Sequence, residues 1–155
     1  MQIRLAKNNS NDCDLVFSLS NDPLVRQASF NTEPLEYKSH CKWFAKTAED
    51  SNTLFFLVFE GQDFVGQIRF NRESKMSTEC FISLSITAKF RGKHIAKEFL
   101  DLGIEKMQKK WRKIKAVIAE VKGENTPSNA LFLKKNFELI SSINTYKYSF
   151  LTDLD

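Results

Sequence analysis

At Gly92 the hydrophobic rhythm of this chain changes from a period of two to one of 3.6. Glu79 to Ile86 reads as a strand, whereas Ala96, Phe99, Leu100, Gly103 and Met107 beyond the glycine fall on one face of a helix. The two are joined by Lys89-Phe90-Arg91-Gly92-Lys93-His94-Ile95-Ala96. A turn that enters a helix N-terminus exposes several unpaired backbone N–H groups, and the helix dipole adds positive potential at the same spot. A pyrophosphate fits such a nest. Gly92 permits a positive φ and close backbone approach, and Arg91 and Lys93 add charge at the rim. Taken alone, the same residues also suit an ordinary basic-glycine turn before a helix.

The flanking segments set the architecture. Ile3 and Leu5 predict a short first strand, and Asn11 or Asp12 can cap a helix that ends near Asp22-Pro23. Leu35 to Ala48 predicts a second helix, with Trp43, Phe44 and Thr47 on one side. Thr53 to Glu60, Gly61-Gln62-Asp63 and Phe64 to Phe70 predict a hairpin. Ile114 to Val121 is again a strand. Thr126 followed by Pro127 starts a helix that runs to about Lys135, and Asn136 can take the left-handed conformation that ends it. Glu138 to Ile143 and Thr145 to Phe150 then predict two short strands, with Tyr146, Tyr148 and Phe150 on one face. This order predicts a mixed α/β (α+β) fold: a mostly antiparallel sheet of six or seven strands with helices on both faces. A length of 155 residues suits one domain over residues 1–155.

Charge and cysteine usage narrow the function. A net charge of +4, from 23 basic and 19 acidic side chains, favours the arrival of an anionic ligand. It falls short of the basic stripe that nucleic-acid binding needs. The run Lys109, Lys110, Arg112, Lys113, Lys115 suits a solvated helix end. Cys13, Cys41 and Cys80 show no CxxC spacing, so neither a disulfide framework nor a metal site is expected. Met1 to Lys7 lacks the apolar core of a signal peptide, and the longest apolar run, Leu54 to Phe59, is far shorter than a membrane span of about 20 residues. A cytoplasmic protein is the expectation.

A second stretch follows the next strand: Asn125-Thr126-Pro127-Ser128-Asn129-Ala130-Leu131-Phe132-Leu133-Lys134-Lys135-Asn136-Phe137. The turn at Arg91 to Ala96 and this stretch, in this order, resemble the GNAT superfamily of acetyl-CoA-dependent N-acetyltransferases. The resemblance covers Glu79 to Phe137. It implies acetyl-CoA as co-substrate, with Arg91, Gly92, Lys93, His94, Ile95 and Ala96 around its pyrophosphate. It implies that Leu84, Ser85 and Ile86 pair with pantetheine along a splay between their strand and Ala116 to Val121. The Leu84 amide would polarise the thioester carbonyl, and Asn125 and Ser128 would line the CoA arm. Three positions depart from the family: Lys89 in place of Gln or Arg, His94 in place of Gly, and Phe132 where many relatives carry a proton-donating Tyr. Tyr146, Tyr148 or water would then protonate the leaving thiolate, or CoA leaves unprotonated.

An amine acceptor must lose a proton. Glu79, at the start of the strand that would carry the acetyl group, is the first candidate base and His40 the second. Asn21-Asp22-Pro23-Leu24-Val25-Arg26-Gln27-Ala28-Ser29-Phe30-Asn31, with His40 and Trp43-Phe44, resembles N-acetyltransferases acting on nucleotide-activated amino sugars in pseudaminic-acid-type pathways. That resemblance implies Arg26 on a phosphate, Ser29, Asn31 and His40 as hydrogen-bonding partners, and Trp43 as a stacking surface. It points to the 4-amino group of a UDP-linked dideoxy amino sugar. Acetylation of a protein N-terminus or another small amine is the alternative within the family, and a non-catalytic CoA-binding sensor or interaction module the alternative outside it. The sequence leaves open whether the chain is a monomer or a homodimer.

Overall fold

The computed structural model describes residues 1–143 and 145–152. Its strands are β1 (Gln2–Leu5), β2 (Thr53–Glu60), β3 (Asp63–Asn71), β4 (Glu79–Ile86), β5 (Ala116–Val121), β6 (Glu138–Ser141) and β7 (Tyr146–Leu151). Its helices are α1 (Ser10–Ser20), α2 (Pro23–Ala28), α3 (Tyr37–Ala48), α4 (Ala96–Lys110) and α5 (Thr126–Lys134), with a 3₁₀ turn at Ala88–Phe90. The strands form one seven-stranded sheet in the order β1-β2-β3-β4-β5-β7-β6. All neighbours are antiparallel except β4 and β5, which run parallel and are joined by α4.

The two faces of the sheet explain the apolar run in β2. Leu54, Phe56 and Val58 join Ile68, Phe70, Cys80 and Ile82 under Phe99, Leu100, Ile104 and Met107 of α4 and Leu131 and Phe132 of α5. Phe55 and Leu57 point to the opposite face, against Cys13 and Val16 of α1 and Phe44 of α3. A strand covered on both sides needs no polar alternation. Each fully buried aromatic or aliphatic side chain here contributes about 1.5–3 kcal/mol by leaving water. Tyr146, Tyr148 and Phe150 all meet the α4–α5 core, so they share a face as their spacing predicts.

The structure corrects several element boundaries. Asn9, not Asn11 or Asp12, caps α1, its side chain accepting the Asp12 amide at 2.8 Å. Asp12 is fully buried and turns inward, where Arg4 donates to both its oxygens at 2.7 and 2.8 Å and the Lys7 amide at 2.8 Å. Burial pushes the Asp12 carboxyl up, but these donors together hold it below its ordinary range. Asp22-Pro23 ends one helix and also starts another. Asp22 accepts the Leu24 amide at 2.9 Å and Pro23 takes the first turn of α2, a helix the hydrophobic pattern does not announce. Asn125, one residue before the expected Thr126, caps α5. Asn136 has φ 64°, the left-handed value expected of it.

Candidate active site

β4 and β5 begin zipped together and then part. Their register runs Glu79↔Ala116, Cys80↔Val117, Phe81↔Ile118 and Ile82↔Ala119, and stops there, although β4 continues to Ile86 and β5 to Val121. On its other edge β4 stays paired with β3 up to Gly66↔Ile86. The side from which each residue bonds follows from two contacts. Thr87 N donates to Val65 O on β3, and Thr78 O accepts Lys115 and Ala116 amides on the β5 side. Alternation along the strand then turns the main-chain groups of Leu84 and Ile86 into the gap. The Ile86 carbonyl is taken by Arg91 Nε at 2.9 Å, which leaves the Leu84 groups and the Ile86 amide open.

The turn beyond β4 supplies the second half of the site. Its well-formed hydrogen bonds stop at Arg91 N to Ala88 O and resume at Phe99 N to Ile95 O. Among the described residues the amides of Gly92 to Glu98 therefore stand unused at the N-terminus of α4. Gly92 and His94 hold φ 71° and 59°, and this pair of left-handed residues gives the loop its concave bend. A cleft of about 920 Å³ runs from this bend through the gap. Leu84, Ser85, Ile86, Arg91, Gly92, His94, Ile95, Ala96, Asn125 and Ser128 all line it, and of the cofactor residues inferred from the sequence only Lys93 does not. A curved rim of free amides beside a parted strand edge suits a diphosphate followed by an extended, amide-bearing arm.

Several predicted roles need correction. Arg91 does not stand free at the rim. Its Nη2 lies 3.2 Å from Asp22, without hydrogen-bond alignment, so much of its charge is matched inside the protein. Burial raises the Asp22 carboxyl, but Arg91 and the Leu24 amide hold it below the usual range. Lys93 instead leans over the Phe90 ring at 5.5 Å. Asn125 Oδ1 is used as a helix cap, accepting the Ser128 amide at 3.3 Å. Glu79 is exposed in the zipped part of β4, five residues before Leu84 and hence about 16 Å away along the strand, and lies outside the cleft. Tyr146 packs its ring on Gly123, and the Tyr148 hydroxyl donates to Asn129 at 2.6 Å. Neither tyrosine lines the cleft, while Phe132 does. Cys80 is buried in the core, which together with Glu79 pushes its thiol up to about 12 and removes it as a nucleophile.

The acceptor-side residues divide in the same way. Arg26 and Ser29 line the cleft, whereas Asn31, His40 and Trp43 do not. The Arg26 guanidinium is largely spent on the chain itself. It donates to the carbonyls of Ser20 at 2.7 Å, Asn31 at 2.9 Å and Glu33 at 3.2 Å, and to Ser29 Oγ at 3.2 Å. It thus folds the loop after α2. His40 is buried between Phe17, Trp43 and Phe44, with Nε2 3.1 Å from Cys13 O. Burial pulls its pKa down, so it is a neutral core histidine. Among the described residues the carboxylates that line the cleft are Glu120 and Glu124. Glu120 is exposed one residue past the last β4–β5 pair and is missing from the sequence-based candidates. Its signal is the one polar position in Ala116–Val121, facing away from the core residues Ala119 and Val121.

Residues 2–138 match the family described as the acetyltransferase (GNAT) domain. The chain belongs to the GNAT acetyltransferase family. Among curated proteins, it is 24% identical to an acetyltransferase named PseH from Campylobacter jejuni, over 84% of this chain and 80% of that protein. Among solved structures, the Campylobacter jejuni N-acetyltransferase PseH shares the fold with a TM-score of 0.73 and 18% identity, covering 98% of each chain. A Vibrio cholerae spermidine N-acetyltransferase in complex with CoA and spermine superposes with a TM-score of 0.85 at 13% identity, covering 97% of this chain and 94% of that one. The chain is accordingly an acetyl-CoA-dependent N-acetyltransferase of the GNAT fold, acting on an amine. Among the described residues no helix is long and apolar enough to cross a membrane.

Proposed function

We propose that this GNAT enzyme acetylates the 4-amino group of a nucleotide-linked amino sugar, in one catalytic domain. One observation carries the reading. Residues 24–30, the middle of the segment that resembles nucleotide-amino-sugar transferases, line the same cleft as the parted strands. The likeness to PseH supports the same reading.

Acetyl-CoA supplies an activated thioester, and the chain's residues position and polarise it. The amides of Gly92 to Ala96 hold its diphosphate, and the open edge of Leu84 to Ile86 pairs with the pantetheine arm. The Leu84 amide donates to the thioester oxygen as charge develops there. Glu120 replaces Glu79 as the proposed base and takes the acceptor's proton, directly or through one water. With Phe132 on the CoA side and no tyrosine in the cleft, the thiolate takes its proton from solvent.

The test is an acetyl-transfer assay comparing a UDP-linked 4-amino sugar, spermidine and an N-terminal peptide at equal concentration. The nucleotide sugar should be turned over at least tenfold more efficiently than either. Preferential turnover of spermidine or of the peptide overturns the sugar reading and leaves the acetyltransferase assignment in place.

A further inference from the structure

Three arginines line the cleft, Arg26, Arg69 and Arg91, and two of them are occupied by the chain. Arg26 is bound by carbonyls and Arg91 by Ile86 O and Asp22. Arg69 differs. Its side chain rises from β3 and its guanidinium carbon lies 5.0 Å from the Trp43 ring centre and 5.6 Å from that of Phe55. Among the described residues its single side-chain hydrogen bond is from Nε to Asn71 Oδ1, at 3.3 Å. Among the described residues no carboxylate comes within ion-pair distance of it. Its terminal nitrogens nevertheless are not sealed in, since they are absent from the buried unpaired atoms. Arg69 lines the cleft, and its terminal nitrogens, four N–H donors in all, have no acceptor among the described residues.

A guanidinium held among aromatic rings without a counter-charge is costly to desolvate. The two ring faces offset part of this. Burial also lowers its proton affinity, though a guanidinium stays charged throughout. The aromatic clamp fixes the fork, so an anion meeting it finds two parallel donors already aligned.

The sheet register says where that anion would lie. Arg69 is the cross-strand partner of Ser83. Continuing the β4–β5 register one step past Ile82↔Ala119 sets Ser83 beside Glu120, on the same face. Arg69 and Glu120 thus flank Ser83 two strands apart, at least about 10 Å because β4 and β5 part here. An acceptor with its amine at Glu120 spans one sugar ring and the oxygen that joins it to the diphosphate before it reaches Arg69. A polyamine of that length would instead bring a second cation against the guanidinium.

We propose that Arg69 binds a phosphate oxygen of the acceptor's diphosphate and is the residue that selects an anionic over a cationic amine. This deepens the reading of the acceptor as a nucleotide-linked amino sugar and rests on it. The test uses UDP as probe, titrated calorimetrically into protein saturated with CoA so that the turn at Gly92 is already filled. Arg69→Met keeps an unbranched chain between Trp43 and Phe55 but removes the donors, and Arg69→Lys keeps the charge without the fork. UDP should bind the wild type, bind Arg69→Met at least tenfold more weakly, and bind Arg69→Lys with intermediate affinity, while neutral uridine does not distinguish the three. In turnover, KM for the nucleotide sugar should rise similarly and KM for acetyl-CoA should stay within twofold. Equal UDP affinity in wild type and both variants, or no UDP binding to the wild type, overturns the inference. UDP binding that depends on Arg69 in an enzyme that does not acetylate the nucleotide sugar supports the anion site and sinks the sugar reading instead.

Discussion

Two glycines of this chain hold nearly the same left-handed backbone in very different places, and substituting both separates strain from function. Gly92 has φ 71° in the turn before α4, and Gly61 has φ 59° in the β2–β3 hairpin. A Cβ built on either meets no atom within 4 Å, so a larger side chain does not clash with its surroundings at Cβ. What it meets is backbone strain, about 1–2 kcal/mol for an L-residue in this region and worst for a β-branched one. Gly61→Val should therefore lower the melting temperature by about 2–8 °C for a domain of this size, and Gly92→Val by less, to the extent that its loop gives way. Their effects on the cofactor should part. The loop at Gly92 can relieve the strain by leaving its conformation, and the free amides of residues 92–96 then lose their common aim. If that strain is the energy lost to binding, CoA affinity falls by about 5–30-fold at about 1.4 kcal/mol per tenfold. Calorimetric titration of CoA measures this without any need to know the acceptor. A Gly92→Val protein that binds CoA within twofold of wild type, while melting as early as Gly61→Val, would mark the turn as an ordinary one. Equal loss of CoA binding in both variants would refute the reasoning as well.

Other substitutions test the remaining assignments. Glu120→Gln should lower turnover about 100-fold, with acetyl-CoA KM unchanged, and Glu79→Gln should leave turnover within twofold; steady-state kinetics of the pair decides which carboxylate serves the acceptor. Tyr146→Phe should keep the wild-type turnover number, because the ring lies on Gly123 outside the cleft; a tenfold drop would restore it as the proton donor. Asp12→Asn should cost about 2 kcal/mol at pH 7, as the charged pair with Arg4 and the Lys7 amide is lost. Since the folded carboxyl titrates below its unfolded value, this stabilisation is complete above the unfolded pKa near 4 and disappears as pH falls through the lower, folded one. Urea melts at pH 7 and at about pH 3 should thus show the gap between wild type and variant shrinking, and a gap that widens in acid would contradict the sign.

Local chemistry made the cofactor side legible before any fold was known. Gly92 and Asn136 are residue types that tolerate positive φ, and both have it. The change of period at Gly92 marks the strand-to-helix turn whose free amides lie within ten residues of sequence. The acceptor side depends on distances along and between strands that alternation does not encode. Glu79 and Glu120 are both polar strand positions, and only the point where β4 and β5 stop pairing tells which of them faces the gap. His40 and Trp43 sit at helical spacing, but spacing alone does not say whether that face of α3 meets the core or the ligand. Arg26 is a plausible phosphate anchor until its partners are known, and they are carbonyls of its own loop. Arg69 carries no signal in the sequence, because an arginine inside Asp63–Asn71 resembles any surface residue of a strand; that no carboxylate among the described residues pairs with it shows only in three dimensions.

The most direct measurement is a ¹H–¹⁵N NMR titration with CoA, read at the main-chain amides of the turn and of the parted strand edge. The largest shifts should fall on Gly92 to Ala96 and on Leu84, with Gly61 and Glu79 unmoved. Saturation with CoA that leaves residues 92–96 and Leu84 unshifted, while amides elsewhere respond, would contradict the proposed way in which this chain holds its acetyl donor.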